Sequence, residues 1–226
     1  MSQTSIWALV PVKDFAQAKG RLASALHRDE RRALAEAMLR DVLDALQQAR
    51  RLAGIALLGG RDARRLATEF GLDYLPDAAA GDLNEALHSA LPALEQRQAT
   101  HVVILPDDLP TVSATDIDTL LATAGKGISL CPASRDGGTN ALLLPVHAGL
   151  RFCYGPESAR LHLEAALAAG LPAQKLSTTA FGRDIDKLED LVWLCEQSAA
   201  AHSQDYLKTA GIARRLTDAP QTALPR

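Results

Sequence analysis

Two adjacent carboxylates, Asp107 and Asp108, follow the apolar run Val102-Val103-Ile104-Leu105 and are fenced by Pro106 and Pro110. Neighbouring like charges repel unless a cation stands between them. A hard divalent ion such as magnesium suits the position, because it takes oxygen ligands, often one or two carboxylates together with substrate phosphates. The plainer reading is an Asp-rich turn in which Asp108 accepts from local amides, although a buried strand and two prolines are more than a turn requires. Asp184-Ile185-Asp186 alternates, so in an extended segment its two carboxylates share one side. That pair can complete a metal site with Asp108, or Asp186 can simply cap the helix that follows. Whether Asp107 or Asp184 joins such a site is open.

Cations cluster near the start of the chain. Pro11-Val12-Lys13 continues into Lys19-Gly20-Arg21-Leu22, placing Lys13, Lys19 and Arg21 around a glycine directly after an apolar run. Lys supplies a compact charge and Arg a fork for two oxygens, as a triphosphate would need, while glycine lets the backbone approach closely. The pattern matches neither a Walker A loop nor GxGxxG, and a solvated basic turn explains it equally well. In Arg135-Asp136-Gly137-Gly138-Thr139-Asn140, two glycine amides and the Thr139 hydroxyl can face a phosphate or carboxylate, and a hairpin turn fits the same residues. Gly155-Pro156-Glu157-Ser158 precedes a helical stretch, so Ser158 is placed to cap it and to form a second anion site. Asn84 carries the donor and acceptor of a base-reading side chain, though ordinary helix entry accounts for it too. The six histidines show no metal or triad arrangement, and Cys131, Cys153 and Cys195 show no CxxC spacing, so neither zinc nor a disulfide framework is indicated.

Something must bring these segments together. Ile6 to Val12, Gly54 to Gly60, His101 to Leu105, Ile128 to Pro132 and Ala141 to Pro145 read as buried strands, with weaker candidates at Tyr74 to Pro76 and Gln174 to Ser177. Helices are expected over Asp29 to Arg51, Asp62 to Phe70, Asn84 to Gln98, Ser113 to Ala124 with Ser113 as N-cap, Ser158 to Ala169 and Lys187 to Ala201. Alternating elements imply an α/β fold: a single-domain, mostly parallel (mixed) sheet with helices on both faces. Ligands in such sheets bind beyond the carboxyl ends of the strands, where four of these segments emerge: Lys13 to Leu22, Asp107-Asp108, Ser134 to Asn140 and Asp184 to Asp186. The domain is expected over residues 1–201, with a loosely ordered tail over 202–226.

Composition narrows the class. The 226 residues are 47% hydrophobic but only 4% aromatic, so the core is built from Leu, Ala and Val. A net charge of −3 argues against a dedicated nucleic-acid or membrane-surface binder, leaving any anionic ligand to local basic groups. No basic segment leads an apolar h-region and no apolar run reaches the roughly 18–20 residues of a membrane span, so a cytoplasmic protein is expected.

Taken in order, Pro11-Val12-Lys13, Lys19-Gly20-Arg21-Leu22, Leu105-Pro106-Asp107-Asp108-Leu109-Pro110, Gly137-Gly138-Thr139-Asn140-Ala141-Leu142, Gly155-Pro156-Glu157-Ser158 and Asp184-Ile185-Asp186 resemble one family. It comprises the 2-phospho-L-lactate, phosphoenolpyruvate and 3-phospho-D-glycerate guanylyltransferases of deazaflavin coenzyme F-420 biosynthesis. The Gly-Gly-Thr-Asn-Ala-Leu run is the most specific motif. The resemblance implies a nucleotide-diphospho-sugar transferase-like fold and transfer of GMP from GTP to the phosphate of a small phosphorylated carboxylic acid, with pyrophosphate leaving. It further implies Mg2+ held by Asp108, with Asp186 and Asp107 as weaker candidates. Pro11, Lys13, Lys19, Arg21 and Asn84 would serve the nucleotide, and Thr139, Gly155 and Ser158 the acid. Asp107 and Glu157 depart from the family pattern, which more often has small residues at both positions; Glu157 beside an anion would have to point away. Two other readings remain: a related nucleotidyltransferase using a sugar phosphate or another nucleotide, and a non-catalytic nucleotide-binding protein of the same fold.

Overall fold

The computed structural model describes residues 4–79 and 81–218. Seven strands, β1 (Ile6–Val12), β2 (Leu52–Gly59), β3 (Asp73–Pro76), β4 (His101–Ile104), β5 (Ile128–Pro132), β6 (Thr139–Pro145) and β7 (Ala173–Lys175), form one sheet in the order β3-β2-β1-β4-β6-β5-β7. The helices are α1 (Arg28–Gln48), α2 (Arg61–Phe70), α3 (Leu83–Gln96), α4 (Ala114–Leu121), α5 (Ser158–Ala168), α6 (Thr179–Gly182), α7 (Leu188–Glu196), α8 (Ala201–Thr209) and α9 (Ile212–Asp218). β6 runs antiparallel to both β4 and β5, and the remaining pairings are parallel. The expected mixed α/β sheet is therefore present.

Strand parity divides the core. Val10, Leu57, Val103 and Leu143 face α1 and α4 through Leu39, Leu43 and Leu120. Leu9, Val102 and Leu142 face α3 and α5 through Leu87, Leu94 and Ala166. Strands buried on both faces cannot show polar alternation, which is why they read as continuous apolar runs. Ser113 caps α4 as expected, its hydroxyl accepting from the Asp116 amide at 3.2 Å.

At the edge that carries the site, β2 ends against β1 with no room for a side chain. A Cβ on Gly59 would stand 2.4 Å from the Val12 carbonyl oxygen and 3.0 Å from the Ala63 Cβ. Gly59→Ala must therefore push the two strand ends apart, and a loss of about 2 kcal/mol is expected from such overpacking. Denaturant titration against the native chain measures it, and an unchanged midpoint would contradict this account of the strand ends.

The tail expectation is corrected. The stretch read as one helix to Ala201 breaks after Glu196, and residues 201–218 form α8 and α9 instead of a loose tail. Leu207 and Ile212 are buried in a third cluster with Leu22, Leu34 and Met38, and with Ile185, Leu191 and Leu194. No side chain of its own caps α8; Asp41 of α1 accepts from the amides of His202 and Ser203 at 2.8 and 2.9 Å and from the Ser203 hydroxyl at 2.6 Å. A cap supplied by a helix some 160 residues upstream leaves no local trace. Residues 219–226 of the expected tail lie outside the described residues. Among those described, no helix is long and apolar enough to cross a membrane.

Candidate active site

The loop after β1 is pinned by two buried apolar side chains, Phe15 and Leu22, each within a short 3-10 turn. Between them Lys19 takes a left-handed backbone conformation, φ 53°, which costs a residue with a Cβ about 1–2 kcal/mol. The conformation accompanies an inward-turned side chain, only 7% exposed. Its ammonium donates to Asp108 Oδ2 at 2.7 Å and to Asp186 Oδ1 at 3.0 Å, and Arg21 Nη1 donates to Asp186 Oδ2 at 2.9 Å.

Asp108 lies four residues beyond Ile104, the last residue of β4, and Asp184 to Asp186 crosses that strand end, with the Ile185 amide donating to the Asp108 carbonyl at 3.2 Å. Buried Ile185 anchors the crossing, so the residues on either side of it face outward. One oxygen each from Asp108, Asp184 and Asp186 falls within a single sphere of contact, all within 4.8 Å of one another.

The charges around this trio follow from that crowding. Burial and the nearby carboxylates of Asp108 and Asp186 raise Asp184 above the usual carboxylate range. Burial also disfavours charge on Asp186, but Lys19 and Arg21 outweigh it and hold Asp186 below that range. Burial likewise opposes the Lys19 charge, and Asp108, Asp186 and Asp107 together overcome it and raise Lys19 above the ordinary lysine value. Asp107 is raised by burial and by Asp108. Three hard oxygen donors this close could hold a magnesium-sized cation, and Lys19 and Arg21 relieve part of the repulsion among them.

Across β4 lies the second half of the site. Pairing ends at Ile104 with Leu142, and three positions further along each antiparallel strand come Asp107 and Thr139. The expected hairpin is present, but its loop covers only 133–138, since Thr139 and Asn140 already belong to β6; within it the Asp136 carboxylate accepts from the Gly138 amide at 2.9 Å. It is tied down from outside: Asn140 Nδ2 donates to the Phe181 carbonyl at 2.8 Å, and the Ser134 amide donates to Gly182 at 2.8 Å. Arg135 pairs bidentately with fully buried Asp190, which also accepts from Arg183 and from the Lys187 amide and is thereby held near 2 although burial opposes it.

The loop entering α5 is held by side chains, since it has no strand partner. Three successive amides each donate to a helix side chain: Phe152 to His88 Nε2 at 3.2 Å, Cys153 to His162 Nε2 at 2.9 Å and Tyr154 to Asn84 Oδ1 at 2.7 Å. Beyond it, the Ser158 hydroxyl donates to Thr139 Oγ1 at 3.0 Å, joining the α5 loop to the hairpin. Beside the Lys13 end of β1, a cavity of about 320 Å³ opens, lined by Val12, Lys13, Arg32, Gly60, Arg61 and Asp62. That is within the size of small-molecule sites, roughly 300–1,000 Å³.

A family model described as guanylyl transferase CofC like matches residues 6–224. The chain belongs to that family. It is 39% identical to a phosphoenolpyruvate guanylyltransferase of Roseiflexus sp. (strain RS-1) over 88% of this chain and 89% of the relative. A 3-phospho-D-glycerate guanylyltransferase of Phenylobacterium zucineum (strain HLK1) is 37% identical over 82% of this chain and 87% of its own. A solved nucleotidyl transferase from Methanothermobacter superposes with a TM-score of 0.65, covering 92% of this chain and all of that one, and at 13% identity it shares the fold.

Within this CofC-like chain the structure distributes the sequence-derived residues unequally. Lys19, Arg21, Asp108 and Asp186 come together, and Asp184 joins them in the carboxylate trio that Asp107 does not enter. Lys13 is exposed at the cavity mouth behind partly exposed Pro11. One expectation needs correction. Ser158 does not cap α5: its buried hydroxyl goes to Thr139 and its amide to the Gly155 carbonyl, so its polar groups are turned inward. Asn84 also has a structural task the sequence did not show: Oδ1 accepts from the Tyr154 amide and Nδ2 donates one hydrogen to the Tyr154 carbonyl. Gly155 is exposed with φ 141°, a conformation closed to most side chains. Glu157 is exposed but leans over the hairpin, its Oε1 3.0 Å from where a Gly137 Cβ would stand. The sequence reading missed His88 and His162. His162 follows Ser158 by four residues on one helix, a spacing that puts both on the same face and was the available signal.

Proposed function

We propose that this chain transfers GMP from GTP to the phosphate of a three-carbon phospho-carboxylate, releasing pyrophosphate, as a step in making the deazaflavin coenzyme F-420. The observation that carries the reading is the convergence of the Asp108, Asp184 and Asp186 carboxylates within 4.8 Å, with Lys19 and Arg21 against them at the carboxyl edge of the sheet. Relatives named for this reaction on phosphoenolpyruvate and on 3-phospho-D-glycerate support it.

An oxygen of the acid phosphate attacks the α-phosphorus of GTP, and the bond from that phosphorus to the α–β bridging oxygen breaks. The attacking oxygen is already ionised near neutrality, so no general base is needed. Both reactants are anions, and the barrier is mainly repulsion and alignment. Asp108, Asp184 and Asp186 would hold Mg2+, which when bound neutralises phosphate charge and clamps the geometry. Lys19 and Arg21 lie where pyrophosphate departs and stabilise its growing charge, and Lys13 reaches the nucleotide from the cavity mouth. The cavity at Val12 and Gly60 takes the nucleoside. Thr139, across the end of β4, faces the acid together with the exposed Gly155 peptide.

Purified protein with GTP and Mg2+ is expected to release pyrophosphate with at least one of phosphoenolpyruvate, 3-phosphoglycerate and 2-phospholactate, and to stop when the metal is chelated. Mass spectrometry of the product should show the acid joined to GMP. Turnover with a sugar phosphate and with none of the three acids would overturn the assignment.

A further inference from the structure

Neutral histidine has one donor and one acceptor nitrogen, and His162 has both nitrogens engaged in the interior. Its Nε2 lies 2.9 Å from the Cys153 amide, which is a donor only, so Nε2 must accept and the ring hydrogen must sit on Nδ1. Nδ1 lies 3.0 Å from Thr139 Oγ1, which therefore receives that hydrogen. Burial lowers His162 to about 4, which keeps the ring neutral near pH 7.

The consequence is a count of hydroxyl hydrogens. Thr139 and Ser158 hold two between them, and one joins the pair at 3.0 Å. With the opposite tautomer the second would be used on Nδ1, leaving none. With Nδ1 protonated, the second is free. Ser158 is 0% exposed and Thr139 8%, so the free hydrogen belongs to Thr139, beside the end of β4.

We infer that His162 is a positioning residue for the acceptor substrate: locked by the Cys153 amide into the Nδ1–H tautomer, it turns the Thr139 hydroxyl into a donor for an anionic oxygen. The same ring joins two segments that approach the acid from different sides, the hairpin through Thr139 and the α5 loop through Cys153. Its neighbours His88 and Asn84 hold only the loop. The inference rests on the acid lying at Thr139, as proposed above.

Two measurements test it. In the ligand-free protein, long-range 1H–15N NMR of labelled histidine, assigned by the signals lost in His162→Phe, should show Nδ1 protonated and Nε2 bare at pH 7; the reverse tautomer overturns the inference. In kinetics, His162→Phe leaves Thr139 its hydrogen but no N–H to turn it outward, so the acid KM should rise about 5-fold or more while the GTP KM stays unchanged. Thr139→Val, which removes the hydrogen itself, should raise the acid KM roughly 10-fold or more, and the double variant should be no worse than Thr139→Val, because His162 acts only through that hydroxyl. Multiplicative effects, or an unchanged acid KM in His162→Phe, would refute it. Should His162→Phe fail to fold, His162→Asn retains an N–H near the Nδ1 position and should keep the acid KM within about 3-fold of native, and a full loss there counts against the donor role. A native chain inactive with every acid would defeat the proposed function, and the tautomer would still decide this inference.

Discussion

Asp108→Asn is expected to lower pyrophosphate release about 10³-fold, the scale of removing one group that stabilises charge only in the transition state, while leaving the fold intact. Asn keeps the shape and can still accept from Lys19 Nζ, so the geometry at 2.7 Å survives. Charge is what disappears. Its effects on stability oppose each other: the attraction to Lys19 is lost, and so is the repulsion that raises Asp184 and Asp107. With the Asp108 side chain 19% exposed, the net change should stay within about 1 kcal/mol. Steady-state rates with thermal unfolding as the control decide this. The same assay ranks the neighbours: Asp184→Asn should fall nearly as far, and Asp107→Asn by less than about 10-fold, since Asp107 lies outside the trio. A near-native rate in Asp108→Asn, or Asp107→Asn as the more damaging change, would remove the metal role assigned to the trio.

That ranking marks where sequence reasoning runs out. Asp108 was legible because an apolar run must end somewhere and α/β sheets bind ligands at that end. The alternation of Asp184 and Asp186 was legible as well, but their approach to Asp108 depends on Ile185 entering the core and on a backbone bond to the Asp108 carbonyl. Nothing local to either segment contains that contact. Ser158 misled for a related reason. A serine before a helical stretch is by frequency a cap, whereas this one begins the helix behind a left-handed Glu157 and is turned into the interior. Asn84 had the chemistry of a base reader, and nothing near it announces its bonds to the Tyr154 peptide 70 residues away. The helices over residues 201–218 were missed because their burial comes from α1, α7 and the loop at Leu22, and the cap of α8 comes from Asp41. Strand runs, the hairpin loop and most helix limits follow from short-range pattern; partners across the sheet do not.

Lys19→Met should separate the two duties of that lysine. Met keeps most of the length and apolar stem and removes the ammonium, leaving Asp186 its pair with Arg21, whose side chain is 68% exposed. Breaking a buried ion pair costs about 3–5 kcal/mol, but Asp108 and Asp186 are 19% and 31% exposed and part of that is screened, so about 2 kcal/mol should be lost without metal. A divalent cation can replace the missing charge. Added Mg2+ should therefore raise the melting temperature of Lys19→Met more than that of the native chain, where Lys19 already neutralises the cluster. Turnover should nevertheless stay about 10²-fold low with Mg2+ present, because the metal restores charge balance among the carboxylates and not a cation facing the departing pyrophosphate. Thermal unfolding and pyrophosphate release, each with and without Mg2+, give the four numbers required. Equal metal responses in the two proteins would mean that Lys19 and the ion do not compete for the trio. Recovery of turnover along with stability would mean that Lys19 serves the fold alone. Stability rescued while turnover stays lost is the pattern that places one lysine in both the resting site and the reaction.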